Sequence, residues 1–383
     1  MPRAQQGAEV MPIHMITMPK WGLSMEQGQV NGWLKSPGEK VSKGEELLDV
    51  ESDKIASGVE CAFDGVLRRQ IAQEGDTLPV GALLGVVAGQ EDSDAEIDAA
   101  VAEFQRDFVP AKAGDADAGP QPEKAQIGGR TLRYLKLGAG DGTPVVLIHG
   151  FGGDLNNWLF NHADLAAGRT VWALDLPGHG ESGKAVESGA LDELAQSVVD
   201  FLDAQKIERA HLVGHSLGGA VAMTVAERAP ARVASLSLIA SAGLGDEIDS
   251  AYIEGFVAAA NRNALKPHVT KLFADPALVT RQLVEDLVKY KRLEGVQDAL
   301  KKISAQAFEG GAQRRVFRDR LSTLAPKVLV IWGEADQIIP AKHAQGLSPE
   351  VRVEVIAGKG HMVQMEAAAE VNRLLKAHFE AGG

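Results

Sequence analysis

Six apolar runs in the second part of the chain decide most of what it can fold into: PVVLIHG, TVWALDLPGHG, AHLVGHS, VASLSLIAS, KVLVIWGEAD and VRVEVIAGKGH. They are apolar almost throughout rather than alternating, most are rich in β-branched residues, and they end in Gly, His, Ser or Asp. Runs of this kind, separated by helical periodicity, are strands buried on both faces of a parallel sheet. An α/β architecture follows, and in such open sheets the reactive side chains gather at the carboxyl ends of the strands.

Three of those ends carry matching chemistry. In VGHSLGG, Gly214-His215-Ser216-Leu217-Gly218 is a G-x-S-x-G turn, whose glycines let a strand fold sharply into a helix and push the serine hydroxyl out over the sheet. A serine at its ordinary pKa is a weak nucleophile and needs an adjacent base. His361, ending the last run, is the candidate base, and Asp336, ending the run before it, is the candidate partner that sets the imidazole tautomer. HGFGG, His149 to Gly153, is glycine-rich enough for close backbone approach, so the N–H of Phe151 pairs with that of Leu217 as a candidate oxyanion hole. His215, beside the nucleophile, is not counted as catalytic.

The first part of the chain has a different texture. From Ile16 to Ala88 it reads as short alternating strands broken by glycine and proline. It also repeats: Gly38, Val41, Gly44 and Leu47 are spaced as Gly75, Leu78, Gly81 and Leu84, each pair offset by 37 residues. Two copies of a half-motif predict a flattened two-sheet barrel with a pseudo-twofold axis. That symmetry puts the turn carrying Lys54, in DVESDKIASG, at the pole opposite the module's termini, so Lys54 is expected to project away from the linker.

Between the two parts, residues 91–124 hold ten acids against three bases, with abundant Ala, Gly, Pro and Asp. This reads as an acidic flexible linker with a coil span of about 30 Å and an extended limit of about 120 Å. Within it Ile97, Val101, Phe104 and Phe108 fall at helical spacing, which predicts a short amphipathic helix, either docked on one neighbour or, as the favoured reading, transient. The net charge of −13 supplies no basic footprint for nucleic acid and no polybasic membrane patch. Cys61 is the single cysteine, so no intrachain disulfide forms, which suits a reducing compartment. No apolar run approaches a membrane span, and the polar opening MPRAQQGAEV lacks a secretory core, so a cytoplasmic protein is expected.

The stretch GEKVSKGEELLDVESDKIASGVECAFDGVL resembles the lipoyl domains of 2-oxoacid-type dehydrogenase complexes. A biotin carrier would show Met on both sides of the lysine, where this chain has Asp53 and Ile55. By that resemblance Lys54 carries lipoate through an amide, and Glu51 and Asp53 serve the docking of a lipoate ligase or transferase and of partner enzymes. The second part, including DLPGHGES from Asp175 to Ser182, resembles the α/β-hydrolase family, with a helical cap at about 243–324. The expected layout is a disordered extension (1–14), a lipoyl domain (15–90), the linker (91–124) and an α/β-hydrolase domain (125–383).

The combination resembles the dihydrolipoamide acetyltransferase components of acetoin dehydrogenase complexes. That resemblance implies acetyl transfer from the lipoyl arm to coenzyme A through an acyl-serine, without metal. It implies thiamine-diphosphate-dependent dehydrogenase subunits and dihydrolipoamide dehydrogenase as partners. The chain departs from the usual acyltransferase component in lacking a His-x-x-x-Asp-Gly string and room for a peripheral-subunit-binding domain. Arg314 and Arg315, in a basic part of the cap with Lys289, Lys291, Arg292, Lys301 and Lys302, are weak candidates for the coenzyme A phosphates; a solvated basic face explains them better. Two other readings stay open: an esterase or thioesterase carrying a lipoyl domain, and a lipoyl scaffold with an idle second domain.

Overall fold

The computed structural model describes residues 13–19, 25–52, 56–108, 120–325 and 327–382. They form two compact units divided at Gly119 and Pro120.

The first unit is built from eight short strands: β1 (His14–Thr17), β2 (Gln27–Trp33), β3 (Lys40–Val41), β4 (Glu46–Glu51), β5 (Ala56–Glu60), β6 (Gly65–Gln70), β7 (Thr77–Pro79) and β8 (Leu83–Ala88). They make two antiparallel sheets, ordered β1-β8-β6-β3 and β5-β4-β2-β7. Under the 37-residue offset β2, β3 and β4 fall on β6, β7 and β8, so three of the four strands in each order correspond. The symmetry reaches single hydrogen bonds: Gly38 N–H donates to Leu67 O at 2.7 Å, and Gly75 N–H to Val30 O at 2.7 Å. All four repeat glycines have positive φ, from 83° to 93°, which is why glycine recurs at those turns. Val30, Leu47, Leu48, Val50, Leu67, Leu84 and Val87 are fully buried between the sheets. His14 already opens β1, one residue before the expected domain start, and residues 1–12 of the expected extension lie outside the described residues.

β4 and β5 pair as far as Glu51 and Ala56. Lys54 and Asp53, in the connection between them, lie outside the described residues. β8 runs to the other end of the barrel, as the repeat requires. There the chain enters α1 (Asp94–Asp107), which starts with a capping box between Ser93 and Glu96. The first half of the predicted linker is thus a helix seated on the barrel. Ile97 is fully buried against Val86 and Ala88, and Arg68 and Arg69 reach Asp94 at 3.1 and 3.0 Å.

The second unit carries an eight-stranded sheet. Its strands are β9 (Glu123–Ile127), β10 (Arg130–Leu137), β11 (Gly142–Ile148), β12 (Arg169–Leu174), β13 (Ala210–His215) and β14 (Val233–Ile239), followed after an insertion by β17 (Val328–Gly333) and β18 (Arg352–Ile356). The order is β18-β17-β14-β13-β11-β12-β10-β9, parallel except that β10 runs antiparallel to β9 and β12. Every residue of β13, β14 and β17 is buried, as their unbroken apolar runs require. From β11 the chain moves first to β12 on one side and then to β13 on the other, so the connections after β11 and β13 diverge at a topological switch point. Helices α2 (His162–Leu165), α3 (Leu191–Ala204) and α4 (Leu217–Arg228) connect the strands from β11 to β14, and the insertion is a helical cap: α5 (Ser250–Ala258), α6 (Arg262–Thr270), α7 (Arg281–Lys291) and α8 (Val296–Ala307), then a hairpin of β15 (Phe308–Glu309) and β16 (Ala312–Gln313).

Candidate active site

Ser216 sits where β13 turns into α4 (Leu217–Arg228), at the switch point. Its φ is +52°, a left-handed conformation that costs a non-glycine residue about 1–3 kcal/mol. The backbone around it holds the strain: Ser216 N–H donates to Ile239 O at 3.0 Å, and Ser216 O accepts from Gly219 and Ala242 N–H at 2.9 and 3.0 Å. Its hydroxyl does not cap the helix. The neighbouring glycines are there for space, since a Cβ at Gly214 would lie 2.4 Å from Gly218 O and one at Gly219 2.0 Å from Ser241 Oγ.

Asp336 and His361 come from the carboxyl ends of β17 and β18. His361 Nδ1 lies 2.8 Å from Asp336 Oδ2, with both side chains almost completely buried. The same oxygen accepts from Trp332 Nε1–H at 3.1 Å, and Oδ1 accepts from the N–H groups of Ile338 and Ile339 at 2.8 and 3.0 Å. Four donors converge on one carboxylate, so His361 carries its proton on Nδ1 and presents a lone pair at Nε2. The imidazole is held from behind as well: His215 Nε2–H donates to His361 O at 3.0 Å, and Gly360 N–H donates to Glu366 Oε2 at 2.6 Å.

The HGFGG loop follows β11. Gly150 lies against the elbow so closely that a Cβ there would be 3.0 Å from both Ser216 Cβ and His215 Nδ1. Gly152 has φ +72° and abuts the ring of Phe256 from the cap. His149 anchors the loop: its Nε2 accepts from Leu176 N–H at 3.0 Å, so its Nδ1–H donates to Gly150 O at 2.8 Å. Asp175 ties this loop to DLPGHGES by accepting from Leu155 and Glu181 N–H, each at 2.8 Å. Phe151 and Leu217 are both buried in segments that converge at the switch point. Sequence reasoning missed Trp332, Glu366 and the supporting part of His215; their residue types carry no local signal, because each acts across the fold.

Several of the cap's basic residues have acidic partners. Arg315 bridges Asp192 and Glu227, and Arg314 reaches Glu309 at 3.1 Å. Lys291 is 3% exposed, donates to the carbonyls of Phe256 and Val257 at the carboxyl end of α5, and is pushed down to about 8 by burial. Among the described residues no cluster of His, Cys, Asp or Glu could hold a metal ion, and no helix is long and apolar enough to cross a membrane.

Burial makes this unit sensitive to acid. His149, His162, His211 and His378 are pushed down to about 4 and His179 to about 3, chiefly by burial. Unfolded, each titrates near 6.5, so between there and about pH 4 the unfolded chain binds protons that the native chain excludes. Stability is therefore lost as pH falls through that window. Asp175, pushed up to about 7 by burial and then by Asp154, works in the opposite direction, because the native chain retains a proton that the unfolded chain releases above about pH 4. The histidines outnumber it, and each uncompensated one contributes about 1.4 kcal/mol per pH unit. A melting temperature that drops steeply from pH 6.5 to 5 is the expected result; a flat profile would contradict it.

Residues 143–368 match the alpha/beta hydrolase fold family, and residues 14–87 match the family described as biotin-requiring enzyme. The chain is 58% identical over 365 residues to the dihydrolipoyllysine-residue acetyltransferase component of acetoin cleaving system of Pseudomonas putida, covering 95% of this chain and 98% of that one. It is 50% identical over 373 residues to the protein of the same name from Cupriavidus necator, covering 97% and 99%. Among solved structures it is similar in fold to a serine hydrolase from the polyaromatic-hydrocarbon-degrading bacterium Cycloclasticus zankles, with a TM-score of 0.62 and 24% identity over 68% of this chain and 98% of that one. With near-complete coverage of both relatives, the chain belongs to the family of dihydrolipoyllysine-residue acetyltransferase components of acetoin cleaving systems, enzymes that join a lipoyl domain to an α/β-hydrolase domain.

Proposed function

We propose that the second unit takes an acetyl group from the lipoyl-lysine at Lys54 and passes it to coenzyme A, with Ser216, His361 and Asp336 as its catalytic residues. The observation that carries this reading is the buried Asp336–His361 pair, whose imidazole lies 4.8 Å ring to ring from His215, the residue before a serine held at φ +52°. A lysine between Glu51 and Ala56 suits amide attachment of lipoate, because β4 and β5 are paired up to those two residues. Lipoate there supplies a thiol that carries the acetyl group as a thioester.

Ser216 Oγ attacks the acetyl carbonyl while His361 Nε2 takes its proton, and Asp336 stabilises the imidazolium. The N–H groups of Phe151 and Leu217 hold the oxyanion. Collapse breaks the C–S bond, and His361 returns the proton to the departing sulfur. His361 then deprotonates the thiol of coenzyme A, whose sulfur attacks acetyl-Ser216 and releases Ser216 Oγ with its proton. Arg314 and Arg315 already have acidic partners, which favours a structural part for them over phosphate binding. Thiamine-diphosphate-dependent acetoin dehydrogenase subunits, dihydrolipoamide dehydrogenase and a lipoate ligase or transferase are the partners of this reading, in the cytoplasm.

The test is the single-turnover fate of an acetyl group loaded on lipoylated Lys54. Acetyl-CoA is expected with intact Ser216 and none with Ser216→Ala; a fluorophosphonate is expected to label the first protein and not the second. Lys54→Arg is expected to abolish loading while leaving transfer from free acetyl-dihydrolipoamide unchanged. Acetate released at one rate with or without coenzyme A would replace this reading with a thioesterase.

A further inference from the structure

The helix on the lipoyl barrel changes where the tether begins. Gln29 pairs with Glu51 on one side and with Thr77 on the other, and Val80 N–H donates to Glu26 O at 2.9 Å. The turn from Pro79 to Gly81 therefore lies at the same end of the barrel as Glu51 and Ala56, the residues that flank the connection carrying Lys54. β8 leaves that end and runs about 20 Å to the opposite one. α1 then returns, and its 14 residues rise about 21 Å. Its last contact confirms the direction: Phe108 packs on the barrel core, and a Cβ at Gly81 would lie 3.3 Å from the Phe108 ring.

We propose that α1 is an orienting strap, which brings the tether back to the lysine end of the barrel and so sets the concentration at which the lipoyl-lysine meets Ser216 of its own chain. Lys54 itself, and with it the expectation that it projects away from the linker, lies outside the described residues. The strap is held at both ends and in the middle: Asp94 and Asp98 pair with Arg68 and Arg69, Ile97 is buried, and Phe108 closes the far end. With the strap seated, residues 109–122 join it to β9, a stretch whose covalent limit is about 50 Å. Released, the tether becomes residues 91–122, roughly 2.3 times as long, and starts at the far end of the barrel. Effective concentration falls roughly as the −3/2 power of tether length, which makes the loss about threefold to fourfold.

This inference rests on the transfer reading above, and its test separates the two. Ile97 belongs to a small cluster apart from the barrel core, so Ile97→Asp unseats α1 without opening the barrel; hydrogen exchange over residues 97–107 verifies the release. The expected result is a threefold or greater fall in first-order transfer from lipoylated Lys54 to coenzyme A, with the rate from free acetyl-dihydrolipoamide unchanged. An unchanged or faster intrachain rate with α1 released would overturn the strap. Failure of transfer from both donors would instead overturn the transfer reading. The strap is then judged on geometry alone, by a spin label on Asp107→Cys in the full chain. Broadening of the Glu26 and Gly81 amides is expected, and broadening of Gly44 and Phe63 in their place would overturn the proposal.

Discussion

Asp336→Asn is expected to lower the rate of acetyl transfer by about 10⁴ while leaving the fold in place. The reason is that every group facing this side chain is a donor: His361 Nδ1, Trp332 Nε1 and the N–H groups of Ile338 and Ile339. An amide has one acceptor oxygen and must turn its NH₂ somewhere. Turned toward His361, it forces the imidazole to accept at Nδ1 and carry its proton on Nε2, so the base arrives at Ser216 already protonated. Turned toward the loop, it opposes two backbone donors and loosens the segment that places residue 336. In both cases the tautomer or its orientation is lost, and single-turnover transfer together with fluorophosphonate labelling reads the effect. A loss below tenfold, with the melting temperature unchanged, would remove Asp336 from the catalytic set.

Much of this site is legible in the sequence because its parts sit at strand ends. A run such as KVLVIWGEAD announces a buried strand and its terminus together, so Asp336 could be placed without knowing what it touches. The barrel is legible for a related reason: Gly38, Gly44, Gly75 and Gly81 need left-handed backbone, and a requirement met only by glycine leaves a periodic trace. Side-chain pairing leaves none. Arg315 meets Glu227 from 88 positions away and Asp192 from 123, so a local count of basic residues in the cap overstates its available charge. The strap falls between these cases. The spacing of Ile97, Val101, Phe104 and Phe108 predicts the helix, but helical periodicity reports an apolar face and not the surface that covers it. Direction along the barrel depends on Arg68, Arg69 and Gly81, which come from other strands and turns.

Gly218→Ala is expected to cost both stability and turnover, because the added methyl meets backbone that has no room to yield. A Cβ at Gly218 would lie 2.2 Å from Ile148 O and 2.5 Å from His149 O. Those carbonyls close β11, which is hydrogen-bonded to β12 on one side and β13 on the other. Relief therefore requires α4 to move away from the carboxyl end of β11. α4 begins at Leu217, so the same shift draws Ser216 and the Leu217 N–H away from the HGFGG loop. Overpacking of this kind costs about 1–3 kcal/mol, and at about 2–4 °C per kcal/mol the melting temperature falls by about 2–12 °C. A displacement near 1 Å between nucleophile and oxyanion donors costs about 10² in rate. The two effects share one cause, so they are expected together, whereas Gly129→Ala, at a turn with open space around its Cβ, is expected to leave turnover unchanged. Full turnover in a destabilised Gly218→Ala protein would mean that the helix absorbs the methyl without moving Ser216, and that the elbow is held from β14 and Ala242 rather than from β11.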